Sequence, residues 1–208
     1  MTARFLIPHE NNFFNSVRIS KQIRTRSLYP KMNRQPIEIN GIVKDLAHLR
    51  PHIWDYVIPE KDGKPAQPYR ILITFSCHCF TKGYKDEHDN SLIVVEKGER
   101  RTFCEDRYTR SFDLLGHVKA MGPANVFINH KKGQRQNYMR VPVPTGNYEI
   151  YFKLSRASKK GIDLNLYVQS AFLRTTGQSR KLGKIRFAVV VHNTHHNKPI
   201  NPPPRHRK

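Results

Sequence analysis

The chain has 208 residues, with 37 Lys+Arg against 16 Asp+Glu and a formal net charge of +21. That length allows one compact domain with extensions, and its 38% apolar fraction still fills a core. No window approaches the about 18 apolar residues of a membrane span, the opening MTARFLIPHENNFFNS lacks the apolar run of a signal peptide, and three cysteines, an odd count, argue against a disulfide scaffold. A reducing cytoplasm is therefore the expected location.

Residues 1–36 read as a basic arm, with Arg18, Lys21, Arg24, Arg26, Lys31 and Arg34 spaced through polar sequence. Such a run is either solvated or laid along phosphate. In IVKDLAHLR (42–50) the spacing of Ile42, Val43, Leu46 and Leu49 before Pro51 predicts a short helix. PEKDGKPAQP (59–68) is a turn-rich connector. YRILITFSCHCFT (69–81) is β-branched and aromatic, and reads as a central strand. KGYKDEHDN (82–90) is a polar loop, and SLIVVEKGERRTFC (91–104) is a hairpin or two short strands about Lys97-Gly98.

RYTRSFDLLGHVKAMG (107–122) places Phe112, Leu115 and Val118 on one helical face and ends at Gly122-Pro123. NVFINHKKGQRQNYMRVPV (125–143) reads as a hairpin with Lys132-Gly133 at its tip. In 147–172, Tyr148, Ile150 and Phe152 alternate before a turn at Lys160-Gly161, followed by Ile162, Leu164, Leu166 and Val168, a second hairpin. KIRFAVVV (184–191) reads as a further strand, and residues 196–208 as a disordered, basic, Pro-rich tail. Strands interrupted by one or two helices, without a βαβ rhythm, predict a single α+β domain over 37–195, mainly an antiparallel sheet.

FSCHCF (75–80) raises a chemical question, because Cys77 and Cys79 flank a histidine. On a strand both thiols would share one face. With Cys104 and one of His88, His117 or His130 they could hold a structural zinc, although C-x-C is a poorer clamp than the usual knuckle spacing. The alternative, which the residue types favour, is a pair of buried structural thiols and no cofactor.

The densest functional candidate is RTFCEDRYTRSFDLLGHV (101–118). Arg107 and Arg110 are suited to phosphate, Tyr108 to base stacking, Ser111 to a supporting hydrogen bond, and His117 to proton transfer. The competing reading is an ion-paired helix surface. A second cluster, NHKKGQRQNYMR (129–140), brings Lys131, Lys132, Arg135, Asn137, Tyr138 and Arg140 onto a hairpin. Basic residues interleaved with an amide and an aromatic suit backbone contact plus stacking; the bland alternative is a solvated tip. Ser170 is a further hydrogen-bonding candidate.

The excess positive charge favours nucleic acid as partner, because neutralising phosphate releases counterions. An acidic partner protein is the rival. Nucleotide-binding glycine signatures, HExxH and GxSxG are absent, and no paired carboxylates suggest a two-metal nuclease. If the chain cleaves RNA, His, Arg, Lys and Tyr would have to handle the proton transfers and the crowded anionic transition state.

The segments Arg107-Tyr108-Thr109-Arg110-Ser111, His117, Asn137-Tyr138 and YEIYFKL…LYVQSAF (148–172) resemble in layout the metal-independent RNase toxins of the barnase–EndoU–colicin–RelE group. FSCHCFT…RTFCEDRY…LYVQSAF also resembles proteins of bacterial mobile elements. The first resemblance implies an endoribonuclease that acts without metal, and the first expectation for this chain is such an enzyme with His117 as acid/base and Arg107, Arg110 and Arg140 as phosphate clamp. The same resemblance also implies RNA as substrate and an acidic inhibitor as partner. A non-catalytic RNA- or DNA-binding module, and a basic subunit of a larger complex, remain the other two expectations.

Overall fold

The computed structural model describes residues 34–131, 134–175 and 183–201, with only the backbone described for 129–131 and 134–136. These residues belong to the unit Lys31–Lys208. Most of the basic arm, the Lys132-Gly133 tip and the end of the tail therefore lie outside the described residues, as do the side chains of His130, Lys131 and Arg135.

Twelve strands occur among the described residues: β1 (Ile37–Ile39), β2 (Ile42–Lys44), β3 (His52–Ile58), β4 (Gln67–Phe75), β5 (Thr81–Gly83), β6 (Ile93–Glu96), β7 (Glu99–Phe103), β8 (Asn125–Lys131), β9 (Gln134–Val143), β10 (Gly146–Arg156), β11 (Leu164–Arg174) and β12 (Lys184–Arg186). The helices are α1 (Glu105–Ser111), α2 (Leu114–Lys119) and α3 (Phe187–His195). Seven strands form the main sheet in the order β12-β8-β9-β10-β11-β4-β3, antiparallel except for β11 beside β4. β5-β7-β6 and β1-β2 make two smaller sheets. The α+β expectation holds. No helix among the described residues is long and apolar enough to cross a membrane.

Alternation explains the sheet. Tyr148, Ile150, Phe152 and Leu154 of β10 point to one face, with Val168, Leu166 and Leu164 of β11 and Ile71, Ile73 and Phe75 of β4 beside them by register. All are buried, and this inner face carries the core. α3 closes it through Phe187, which stacks on Trp54 at 5.6 Å and meets Phe152 edge-on at 6.1 Å. α2 adds Leu114 and Val118, both fully buried. β10 and β11 slip by one residue between Tyr151 and Phe152, which leaves Gln169 as a bulge and preserves both faces.

Four expectations are corrected. Residues 42–50 are not a helix: Asn40 and Gly41, both at positive φ, turn β1 into β2, and only a 3₁₀ turn at Ala47–Leu49 follows. A two-residue Asn-Gly turn with both φ positive matches the twist of a hairpin, and it overrides the helical spacing of Ile42 and Val43, which stay exposed. The predicted helix over 107–122 is two short helices broken at Phe112-Asp113. The strand predicted over 184–191 stops at Arg186; Phe187, Val190 and Val191 then bury themselves at helical spacing. FSCHCF is not strand beyond Phe75: Cys77–Cys79 is a 3₁₀ turn, capped by the Ser76 hydroxyl accepting from the His78 N–H at 3.2 Å. The hairpins about Lys97-Gly98 and Lys160-Gly161 are as expected, with Lys97, Gly98 and Gly161 at positive φ.

Candidate nucleic-acid interface

The FSCHCF turn is held by arginines. The Arg107 Nη1 donates to the carbonyls of His78 at 3.1 Å and Thr81 at 2.7 Å. Arg101 Nε donates to the Thr81 hydroxyl at 2.7 Å, which itself donates to the Cys77 carbonyl at 2.8 Å. Arg34 Nη2 donates to the Phe75 carbonyl. A chain that leaves a strand abruptly exposes carbonyls inside the protein, and these guanidinium donors satisfy them. Cys77 and Cys79 are buried, and burial pushes their thiols up to about 11 and about 12. Among the described residues, no three or more His, Cys, Asp or Glu side chains are grouped to hold a metal. His88, one of the zinc candidates, has its Nδ1 2.8 Å from the Thr102 hydroxyl instead.

The residues singled out on 107–118 divide. Arg107 faces inward as described. Ser111 is buried; its hydroxyl donates to the Tyr108 carbonyl at 2.6 Å and so accepts from His48 Nε2, also at 2.6 Å. Arg110 Nε pairs with Asp106 at 2.8 Å, one helical turn back. Tyr108 donates to the Asp45 carbonyl and packs edge-on against Phe112. His117 is half-buried, its ring 5.8 Å from that of Tyr148. Tyr148, read from sequence only as core, is buried with its hydroxyl unpartnered among the described residues. Burial keeps that phenol protonated, while the charges of Arg110 and Arg107 act on it.

The second cluster is resolved by the pleat. Asn137 lies on the inner face opposite Phe152 and is buried. Tyr138, Arg140 and Ser170 lie on the outer face: by register Tyr138 opposes Tyr151, Arg140 opposes Glu149, and Ser170 opposes Tyr151 from the other side. There they join a row of stacked rings crossing four strands. Phe127 stacks on Tyr138 at 4.9 Å, Tyr138 on Tyr151 at 5.2 Å, and Tyr151 on Phe172 at 5.6 Å. Cations cover both ends. Arg140 and Lys184 sit over Phe127, and Arg174 and Arg107 over Phe172.

At the centre of this face is a carboxylate with no exposure. Glu149 accepts from the Tyr151 hydroxyl at 2.7 Å and from Arg174 Nε at 2.9 Å, and pairs with Arg140 Nη2 at 3.4 Å. The hydrogen bond to Glu149 raises the Arg174 guanidinium further, and burial followed by the Glu149 contact pushes the Tyr151 phenol up to about 12. The unit carries two positive charges and one negative. It fixes two guanidinium groups at known positions beside aromatic surface, and Phe127 and Phe172 remain half-exposed at its flanks. Glu149, Tyr151, Phe172 and Arg174 were missed by sequence reasoning. The signal was present in the residues between the apolar ones on 147–174, but their grouping depends on strand order.

The family model described as YjaZ family matches residues 36–195. Protein YjaZ of Escherichia coli (strain K12) is 30% identical over 168 residues, covering 79% of this chain and 91% of that one. No solved structure matches. The match spans the main sheet, the FSCHCF turn, the ring row and its buried carboxylate, and the chain belongs to the YjaZ family.

Proposed function

We propose that the protein binds nucleic acid, RNA in preference to DNA, along the outer face of the seven-stranded sheet. The observation that carries this reading is the row Phe127–Tyr138–Tyr151–Phe172, with guanidinium groups over both ends and the Lys184 ammonium over Phe127. Stacking surface beside cations suits a single strand, whose bases have free π-faces and whose backbone is anionic. Tyr138 and Tyr151 are buried, so a base meets the half-exposed Phe127 and Phe172 and the exposed Tyr167. Lys153, Lys184 and Arg186 of the same face are exposed and supply phosphate contacts.

A single-stranded RNA 20-mer titrated by fluorescence anisotropy tests the reading. Binding should weaken steeply with salt, and joint Lys153→Glu, Lys184→Glu and Arg186→Glu substitution should reduce affinity by about tenfold or more. Binding that ignores both salt and the triple substitution would overturn this interface, and no RNA binding at low salt would overturn the reading in favour of a basic subunit with an acidic protein partner.

A second reading, a metal-independent endoribonuclease, is supported by Tyr148, whose hydroxyl is unpartnered among the described residues, whose ring lies 5.8 Å from that of His117, and on which the charge of Arg110 acts. Arg107 and Ser111 contribute less to it, because Arg107 Nη1 and the Ser111 hydroxyl donate to backbone carbonyls. Cleavage of cellular RNA in excess EDTA that His117→Ala abolishes would establish the enzyme. Intact RNA with salt-sensitive binding retained would leave the binding module.

A further inference from the structure

A cleft of about 570 Å³ opens where β4 ends and β6 turns into β7. Its floor is apolar, with Leu46, Leu49 and Phe80 all nearly fully buried. Its rim carries Tyr167, 39% exposed, and Val95, 62% exposed, two of the large hydrophobic side chains left open to solvent. Lys97 also lines it, beside Glu96.

The charges of this cleft are organised. Arg34 Nη1 pairs with Glu96 Oε1 at 3.0 Å, its Nη2 caps the Phe75 carbonyl, and the guanidinium lies 5.3 Å over the Phe80 ring. Glu96 Oε2 accepts from the Cys77 N–H at 3.1 Å. Arg34 and Glu96 thus cancel and wall the cleft, and Lys97 leaves it with a surplus positive charge. An apolar slot of this volume with one cation at its mouth takes a flat, largely apolar body carrying one anionic group.

Location narrows the class. Tyr167 pairs in register with Thr74 of β4, which also lines the cleft, and belongs to the outer face that bears Lys153 opposite it. The cleft is therefore a continuation of that face. We propose that it receives one unstacked nucleotide of a bound strand, the base entering against Tyr167 and the apolar floor and its phosphate meeting Lys97. This rests on the RNA-binding reading and adds to it a pocket for a single base.

The test uses the full chain with two probes, AMP and the single-stranded RNA 20-mer, by calorimetry and anisotropy. Tyr167→Ala should weaken AMP binding by about fivefold or more, in the range found for loss of one stacking contact, and Lys97→Gln by about twofold or more, as for loss of one exposed charge pair. Joint Lys184→Glu and Arg186→Glu substitution, on β12 four strands away from β11, should weaken RNA binding and leave AMP binding within about twofold, a ratio set by the small effect of distant, screened charges. RNA binding without AMP binding, or AMP binding indifferent to Tyr167 and Lys97, would overturn the pocket and spare the outer face. AMP binding without RNA binding would overturn the outer face and leave a free-nucleotide pocket. Tighter binding of decanoate than of AMP would overturn nucleotide chemistry at the cleft.

Discussion

The Tyr151 hydroxyl donates to Glu149 at 2.7 Å although the two residues are neighbours on the same strand face, and both are buried. Arg174 Nε supplies a second hydrogen bond to the same oxygen. Removing this carboxylate leaves two guanidinium groups without their shared counter-charge. Glu149→Ala should therefore destabilise the fold by about 3–5 kcal/mol, the usual cost of breaking a buried ion pair from one side. Tyr151→Phe should cost about 1–2 kcal/mol, one hydrogen bond to a charged group. Urea denaturation measures both; a Glu149→Ala midpoint equal to the parent's would refute the account.

Gly146 begins β10 at φ +144, and a Cβ there would lie 2.4 Å from the Arg174 carbonyl oxygen. The obstacle is backbone, so it cannot rotate away. Gly146→Ala should cost about 3 kcal/mol or more, combining φ strain with that overlap. Gly161, at φ +79 with nothing within 4 Å, offers the control. Gly161→Ala should cost only about 1–2 kcal/mol. Equal losses for the two would show that the close approach to Arg174 is unimportant.

Stability should fall on acidification from neutral pH. Burial lowers His48 and His52 below the ordinary 6.5, and His192 is lowered in the same way. Near Asp45, which pulls His48 upward, burial still prevails. The unfolded imidazoles bind protons first as pH drops through 6.5, so the unfolded state gains relative to the native one until the folded values are passed. The urea midpoint should decline between about pH 7 and pH 5. His48→Gln should make that decline shallower. A midpoint that rises over this interval would contradict the sign.

The thiols should separate by reactivity. Cys77 and Cys79 are buried with raised pKa values, whereas Cys104 is partly exposed at the start of α1. Since the thiolate is the nucleophile, iodoacetamide at pH 8 should modify Cys104 about tenfold faster or more than the other two. Peptide mass spectrometry after timed quenching reads the order. Rapid modification of Cys79 in the folded protein would mean that the turn opens readily.

Local patterns were legible wherever a short segment settles its own conformation. The strict alternation of Tyr148, Ile150 and Phe152 and the Lys97-Gly98 turn led directly to real hairpins. Asn40-Gly41 carried an equally strong signal that the spacing of Ile42, Val43, Leu46 and Leu49 obscured. FSCHCF misled because strand propensity says nothing about the distant arginines, 26 residues away for Arg107 and Thr81, that stabilise a turn there. The candidate interface was half legible. Tyr138, Arg140 and Ser170 share the outer face, but Glu149 and Arg174 meet across 25 residues, and only the register of β10 on β11 unites them. Arg107 and Ser111 could not be assigned from type alone, since their partners are backbone carbonyls.

The parallel contact of β4 with β11 has a kinetic consequence. Neighbouring strands elsewhere in that sheet are largely hairpin partners and can pair over short loops, but the Arg70 N–H reaches Asp163 across 93 residues. The β3–β4 ribbon and the β8–β11 meander can each form early, and joining them closes a long loop at an entropic cost that local pairs escape. Refolding should therefore show a slow, rate-limiting docking of two preformed halves, with Ile71, Ile73, Leu164 and Leu166 at the seam that closes last.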